Sequence, residues 1–413
     1  MSASSTATGS APRLVLHIGA MKTGTTFVQD LLIANAETLG GLGWYVPEQR
    51  AVVRATRELL ALTDSAVGSA RAGASPTLAD APRWVALMDD VRARTAEPGC
   101  HGAIVSMEFL SYSKRPGVQR VLESTHGLDL HVVLTVRDAV RALPSQWQSL
   151  VRNAHRSSWP EFATAARVRG KRPPHPGTRA FRRTQDVPRM VRTWGESLTP
   201  ERFAAVTVPA GADRPRTLLW ERFLDVVGVD AALTDTGAAF DNPQLGYGSC
   251  DLLRRVNDAG LAAEPPSAYR RVLRRLTHDR LLALREHESR PRVDAVTAAF
   301  ALDLNARSLA AIATHATLVG EAGDLPVELA PDATVDAGDV PVQVGDEEVR
   351  RAGEALFAGA LAWCAEEGLV LPDELTAPLP GDLEDAVTQV ATVLGVAISG
   401  DPAHRLTGSP TSS

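Results

Sequence analysis

Short aliphatic runs separated by helical patterns set the organisation of this chain. Leu14–Ile18 and Val132–Val136 are apolar and rich in β-branched side chains, the content of strands buried on both faces of a parallel sheet. Gly102–Ser106 is a third such run. Helical spacing follows the first run at Phe27, Leu31 and Leu32, and follows Val132–Val136 through Ala142, Trp147 and Leu150. Residues 269–285 set Tyr269, Val272, Leu273, Leu276 and Leu284 at helical spacing, with Arg270, Arg271, Arg274 and Arg275 crowding the start. Residues 346–369 predict a helix with Val349, Ala352, Leu356, Ala360 and Trp363 on one face, and 383–395 predict another. The pattern lapses from Arg152 to Arg183. That stretch is basic, and Pro173, Pro174 and Pro176 argue against a regular element across its heart, residues 170–183, so a long mobile loop is expected there.

Between the first run and its helix stands Gly19-Ala20-Met21-Lys22-Thr23-Gly24-Thr25-Thr26. Strand, glycine-rich turn and helix start are the parts of a phosphate cradle. Glycines let the backbone approach a ligand closely. The unpaired N–H groups of the first helical turn, and the helix dipole, favour an anion. Lys22 adds a mobile charge, and threonine hydroxyls donate to phosphate oxygens. The ATP-binding loop G-x-x-x-x-G-K-[ST] carries its lysine directly after the second glycine. Here that position holds Thr25, and the lysine stands two positions before Gly24. An ordinary strand–turn–helix corner is the plain alternative.

Two more strand ends carry chemistry. Val132–Val136 runs into Arg137-Asp138, with Ser145 eight positions after Arg137. A guanidinium fork fits a phosphate dianion, and a serine hydroxyl adds a neutral donor. Read alone, Arg137 suits a salt bridge to Asp138 or a bond to a carbonyl. Gly102–Ser106 leads to Glu108. A carboxylate there suits a general base, and it suits equally the first turn of a helix capped by Ser106. His101 precedes the same run and belongs to its opposite end.

The spacing G-x-x-K-x-G-T-T, the Arg137/Ser145 pair and the S-x-E of residues 106–108 resemble the sulfotransferase family, bacterial members included. Those enzymes use 3′-phosphoadenosine 5′-phosphosulfate (PAPS) as sulfuryl donor. The resemblance covers roughly residues 13–330. It implies an α/β fold of P-loop type, a mostly parallel sheet flanked by helices, with a C-terminal helical extension. It implies that Gly19, Lys22, Thr23, Gly24, Thr25 and Thr26 hold the 5′-phosphate and that Arg137 and Ser145 hold the 3′-phosphate. Lys22 would stabilise the leaving oxygen, and Glu108 would take a proton from a small-molecule acceptor. The product would be 3′-phosphoadenosine 5′-phosphate (PAP), and no metal is required. Residues 43–47 resemble a second-strand entry, Phe203–Pro209 a later strand, and Thr217–Val229 the helix after it. The late R-K-G triplet of animal cytosolic members is absent; one of the arginines at 270–275 is a candidate replacement. Two other readings stay open. One is a nucleotide-dependent kinase on the same loop, which needs a magnesium carboxylate. The other is a catalytically inactive, PAP-binding regulatory protein.

Composition narrows the rest. The chain has 413 residues, 44% hydrophobic and 22% charged, enough for a large core. A net charge of −6 gives no sign of a nucleic-acid partner. Cys100, Cys250 and Cys364 are scattered and form no C-x-x-C, which fits a reducing, cytoplasmic setting. No apolar run approaches the ~20 residues that span a bilayer, so no membrane partner is expected. A homo-oligomer is left open. The histidines show no metal-binding spacing, so no metal site is expected. The layout read from composition is a disordered tail (1–12), the sulfotransferase-like domain (13–330), an acidic, partly helical extension (331–399) and a second tail (400–413). Trp147, Trp159, Trp194 and Trp220 read as core or acceptor-pocket aromatics. The basic stretch with Arg167, Arg169, Lys171, Arg172, Arg179, Arg182 and Arg183 reads as a lid over an anionic donor or as a solvated surface.

Overall fold

Strands Arg13–His17 (β1), Trp44–Tyr45 (β2), Gly102–Ser106 (β3), Asp129–Val136 (β4), Phe203–Thr207 (β5) and Thr317–Val319 (β6) form one sheet in the order β2-β3-β1-β4-β5-β6. Every pairing is parallel. The computed structural model describes residues 11–69, 77–168, 175–211, 214–237, 244–329, 335–336, 338–404 and 406. Helices alternate with the first strands: Thr25–Ala34 (α1), Ala36–Gly41 (α2), Gln49–Ser69 (α3), Pro82–Thr95 (α4) and Arg115–Ser124 (α5). Between β4 and β5 lie Ala139–Val151 (α6), Trp159–Arg167 (α7), Pro176–Thr184 (α8) and Val187–Gly195 (α9). Thr217–Val227 (α10), Tyr247–Asp258 (α11), Pro266–Leu276 (α12) and Ala295–His315 (α13) follow β5. Asp346–Glu366 (α14), Asp373–Thr376 (α15) and Leu383–Ser399 (α16) end the series. The chain is therefore α/β, with an all-parallel sheet flanked by helices and further helices toward its C-terminus.

The chain divides into two compact units that interleave in sequence. The first comprises residues 1–142, 182–240 and 301–329 and holds the whole sheet. The second comprises 143–181, 241–300 and 330–413.

In the first unit, side-chain alternation builds two cores. Leu14, Leu16, Ala103, Val105, Val132 and Leu134 face one side, against Trp84 and Met88 of α4, Val118 of α5, Met190 and Trp194 of α9 and Ile312 of α13. Val15, Ile104, Val133 and Val206 face the other, against Val28 and Leu31 of α1 and Leu219, Trp220 and Phe223 of α10. Strands buried on both faces are why their sequences read as continuous apolar runs. In the second unit, α14 packs on α11 and α16. Val349, Ala352, Leu356, Ala360 and Trp363 of α14 are buried, the face that its period predicted. Trp147 meets Trp159 at 6.0 Å and the Tyr247 ring at 5.5 Å in the same unit. All four tryptophans singled out from sequence are fully buried.

Three expectations change. The loop foreseen across 170–183 becomes helix from Pro176, because a proline at the first helical position loses no hydrogen bond. Residues 169–174, with Arg169, Lys171 and Arg172, lie outside the described residues. The helix foreseen over 269–285 is α only to Leu276, then a π turn over Thr277–Leu281 and a 3₁₀ turn over Leu282–Glu286. Leu276 and the next buried leucine, Leu281, are five residues apart, a spacing that an i→i+5 turn brings onto one face. Finally, α13 has the length and composition of a bilayer span, with a mean hydropathy of 1.2 over its most apolar window. In the first unit its Ala301, Leu304, Ala311 and Ile312 are buried, and Asp303 pairs with Arg307 at 2.8 Å. The residues expected as tails, 1–10, 405 and 407–413, lie outside the described residues.

One buried ion pair fixes α10 to the sheet. Arg222 Nη1 donates to Asp324 Oδ2 at 2.7 Å and to the Thr207 carbonyl at 2.9 Å. The same carboxylate accepts from the Thr207 hydroxyl at 2.6 Å and from Ala210 N at 2.8 Å. Burial pushes the Asp324 carboxyl up, but these bonds outweigh it and hold it below the usual range. Arg222→Leu strands a buried carboxylate without its cation. Breaking such a pair typically costs about 3–5 kcal/mol. The expected result is a urea midpoint lowered accordingly; an unchanged midpoint would contradict the anchoring role.

Candidate functional site

The sequence-derived candidates in the first unit gather where β1, β3 and β4 end. Ile18 N donates to the Val133 carbonyl at 2.8 Å and Ala20 N to the Thr135 carbonyl at 3.1 Å. Pairing with β4 therefore continues past β1 before the chain turns into the glycine-rich loop. Gly19 and Gly24 have φ of 28° and 80°. A Cβ on Gly19 would stand 2.3 Å from Thr25 Cγ2, and one on Gly24 2.4 Å from Leu219 Cδ2. Both glycines are thus required by backbone and by space. Lys22 also lies in the left-handed region, at φ 64°, a conformation that costs a non-glycine residue about 1–2 kcal/mol. Helix α1 starts at Thr25 behind Gly24, and no side chain caps it. Its first-turn N–H groups and dipole make that end electropositive.

Arg137, directly after β4, reaches the loop: its Nη1 donates to the Lys22 carbonyl at 3.3 Å. Among the described residues this is the hydrogen-bond partner of Arg137. Asp138, the alternative partner that sequence offered, is engaged elsewhere. Its Oδ1 accepts from Val140 N and from Asn305 Nδ2, both at 2.9 Å, and Asn305 Oδ1 accepts from Ala139 N at 3.0 Å. The Arg137 guanidinium is depressed by burial first and by the like charge of Arg141 second, with Asp138 opposing. It is a half-buried cation whose neighbouring carboxylate is tied to a helix start.

Glu108 opens a 3₁₀ turn, Glu108–Tyr112, at the end of β3. Its Oε2 accepts from Gln29 Nε2 of α1 at 2.8 Å. The helix that leaves the loop therefore holds the candidate base. Ser106 does not cap this turn; Met107 occupies the cap position, and the serine points into the sheet. His101 lies at the other end of β3, as its position implied. Thr25 is buried and Thr26 is exposed. Ser145 belongs to the second unit, where it is buried and its Oγ accepts from Gln244 Nε2 at 2.6 Å. Two arginines considered as late phosphate contacts, Arg271 and Arg275, lie over the Trp363 ring.

Beneath the loop runs a chain of hydrogen bonds that sequence reasoning missed. Thr23 is buried, and its hydroxyl donates to the Ala20 carbonyl at 2.6 Å. Thr135 Oγ1 lies 2.6 Å from Thr23 Oγ1, so with the Thr23 hydrogen committed, Thr135 is the donor. His17 Nε2 is 3.2 Å from Thr135 Oγ1 and therefore carries the ring proton. The remaining nitrogen, Nδ1, accepts from Ser106 Oγ at 2.8 Å. His17 is fully buried, edge-on to Phe223 at 5.3 Å, and burial lowers its pKa to about 3. Its period-2 position beside Val15 was readable; its partners, 89 and 118 residues away, were not. Comparisons of this chain with family models, with curated proteins and with solved structures find no match.

The buried histidine predicts a pH response. Its folded pKa lies below the unfolded value, so as pH falls below about 6.5 the unfolded chain takes a proton that the folded chain refuses. Stability should drop by up to about 1.4 kcal/mol per pH unit from there toward the folded value. Urea unfolding at pH 7 and pH 5 should differ by about 2 kcal/mol more in the wild type than in His17→Gln. Equal differences would show that His17 is not held neutral.

Proposed function

We propose that this protein transfers a sulfuryl group from PAPS to a hydroxyl, phenol or amine of a small molecule. The observation that carries the reading is the bond from Arg137 to the Lys22 carbonyl. It joins two segments, 115 residues apart, that resemble the family's 3′- and 5′-phosphate motifs. The residues also suit such a donor chemically. Gly19 and Gly24 give the loop its positive-φ turns, α1 begins without a side-chain cap, and Lys22 lies in the loop with Arg137 bonded to it. A nucleotide with phosphates at both ends needs that charge.

PAPS, when bound, would supply the sulfuryl group, which leaves its phosphate oxygen for the oxygen or nitrogen of the acceptor. In this reading the loop N–H groups with Thr25 and Thr26 bind the 5′-phosphate. Thr23 serves from below, fixing the turn through Ala20. Lys22 neutralises charge on the leaving oxygen, an effect that grows toward the transition state. Arg137 binds the 3′-phosphate. Glu108, steadied by Gln29, takes the acceptor proton. Arrangement of reactants and charge neutralisation, as in phosphoryl transfer, supply most of the rate. Three free thiols accord with work in a reducing cytoplasm.

Thermal shift separates the alternatives. A ligand selective for the folded state raises Tm by mass action. PAP without magnesium should raise it; a shift with Mg-ATP alone would instead make the protein a kinase, and PAP binding without turnover on any acceptor would make it a regulator.

Three substitutions assign roles. Lys22→Ala should lower turnover by about 10²–10³ with PAP affinity nearly kept. Arg137→Ala should weaken PAP binding first. Glu108→Gln keeps an oxygen for Gln29 but cannot accept a proton, so turnover should fall by about 10²–10⁴ while PAP still binds. Full turnover in Glu108→Gln, with an unchanged alkaline limb of the pH profile, would remove that residue from the mechanism.

A further inference from the structure

Beside Glu108 the structure holds a second charged feature that the donor does not use. In a 3₁₀ turn, residues three apart share a face. Phe109 and Tyr112 do so, stacked at 5.7 Å and 26°. A guanidinium lies over each ring: Arg57 of α3 is 5.8 Å from the Phe109 centroid, and Arg183 is 4.8 Å from that of Tyr112. Both arginines are exposed, and among the described residues neither is paired with a carboxylate.

Three separate segments bring this group to the loop. Gln49 Nε2, at the start of α3, donates to the Ser106 carbonyl at 3.2 Å. The Tyr112 hydroxyl donates to Met21 Sδ in the loop. Gln185, two residues after Arg183, donates through Nε2 to the Met21 carbonyl at 2.7 Å. Burial raises the Tyr112 hydroxyl first, and the Glu108 charge raises it further while Arg183 opposes, so all three share one neighbourhood. The carboxylates nearest in sequence are engaged elsewhere: Glu58 pairs with Arg83, Asp186 accepts from Arg189 N, and Glu108, next to Phe109, is turned to Gln29. The rings shield one side of each guanidinium from water, which strengthens its pull on an anion.

We propose that Arg57 and Arg183, on the Phe109–Tyr112 shelf, form an acceptor subsite for an anionic group, a carboxylate, phosphate or sulfate carried by the molecule whose hydroxyl or amine meets Glu108. The inference rests on the sulfotransferase reading for its acceptor, but its binding chemistry stands apart from the donor loop. Lys22 and Arg137 answer the donor's phosphates; Arg57 and Arg183 are charge left over beside the base. The two arginines act as specificity determinants: they select acceptors and take no proton.

The test uses the full chain loaded with PAP and three matched acceptor pairs. The anionic members are 4-hydroxybenzoate, 4-hydroxyphenyl phosphate and 3-hydroxybutyrate. Their neutral counterparts are methyl 4-hydroxybenzoate, hydroquinone and methyl 3-hydroxybutyrate. Binding is measured by calorimetry in low salt. At least one anionic member should bind about tenfold or more tightly than its neutral partner. Arg57→Gln and Arg183→Gln should each erode that ratio severalfold, and the double variant should bring it to about one. PAP affinity, measured separately on each variant, should not move. Equal binding within every pair, an anion preference that survives the double variant, or no binding of any anionic member at 10 mM overturns the subsite. Failure of PAP to bind the wild type overturns the donor reading, while an arginine-dependent preference in that same protein would still uphold the anion subsite.

Discussion

His17 stands on a face of β1 that packs against apolar side chains of α1 and α10. A ring with two polar nitrogens is tolerated there only when both are bonded, because a buried unpaired group costs about 1–3 kcal/mol. Ser106 of β3 and Thr135 of β4 satisfy it from either side. Each hydroxyl has one hydrogen, so the direction of the chain is fixed, and it ends on the Ala20 carbonyl through Thr23. The same atoms also limit Gly19. Thr135 Oγ1 and His17 Nε2 lie 2.9 and 3.2 Å from where a Cβ would stand. The loop's need for glycine and the buried histidine are therefore one constraint, which ties the turn to three strands at once.

That rigidity matters where Arg137 meets the loop. Its Nη1 reaches the Lys22 carbonyl two residues before Gly24, which precedes the positive end of α1, and the carboxylate next to it is bonded to Asn305. Burial and Arg141 both press on the Arg137 guanidinium. A loop held from below keeps its N–H groups in register, an arrangement that would meet an anion without a reorganisation cost. The left-handed Lys22 fits this account: local backbone strain persists where surrounding bonds over-determine it.

Much of this was legible in sequence, and the reason is local. The buried strands are continuous apolar runs, so β1, β3 and β4 were found within a few residues, and so were α14 and α16. The loop was visible because glycine spacing and a following helix are short-range signals. Long-range pairings were not visible. Nothing near Glu108 announces Gln29, and nothing near Arg137 announces that Asn305, 167 residues from Asp138, would claim its neighbour. Proline misled at Pro176, where it starts a helix instead of stopping one. Helical spacing misled after Leu276, where a π turn shifts the register. Contact alone groups 143–181 and 241–300 with the C-terminal helices.

The two edges of the sheet differ in what they offer an anion. A surface cavity of about 730 Å³ lies at the amino ends of β4 and β5, lined by residues such as Leu128, Leu130, Thr199 and Arg202. Its helical neighbour there is the end of α5, through Leu122 and Glu123. A helix C-terminus presents carbonyls and the negative end of its dipole, which does not invite a phosphate. At the opposite edge the strand ends meet the N-terminus of α1, so backbone dipole and side-chain charge have the same sign. Ligands of open parallel sheets bind beyond the carboxyl ends of the strands, near the point where strand order reverses. In this sheet that point is beside β1, whose neighbours β3 and β4 lead the chain off in opposite directions. Lys22, Arg137 and Glu108 each follow one of those three strands. Topology and electrostatics thus favour the same edge for an anion, for physically independent reasons.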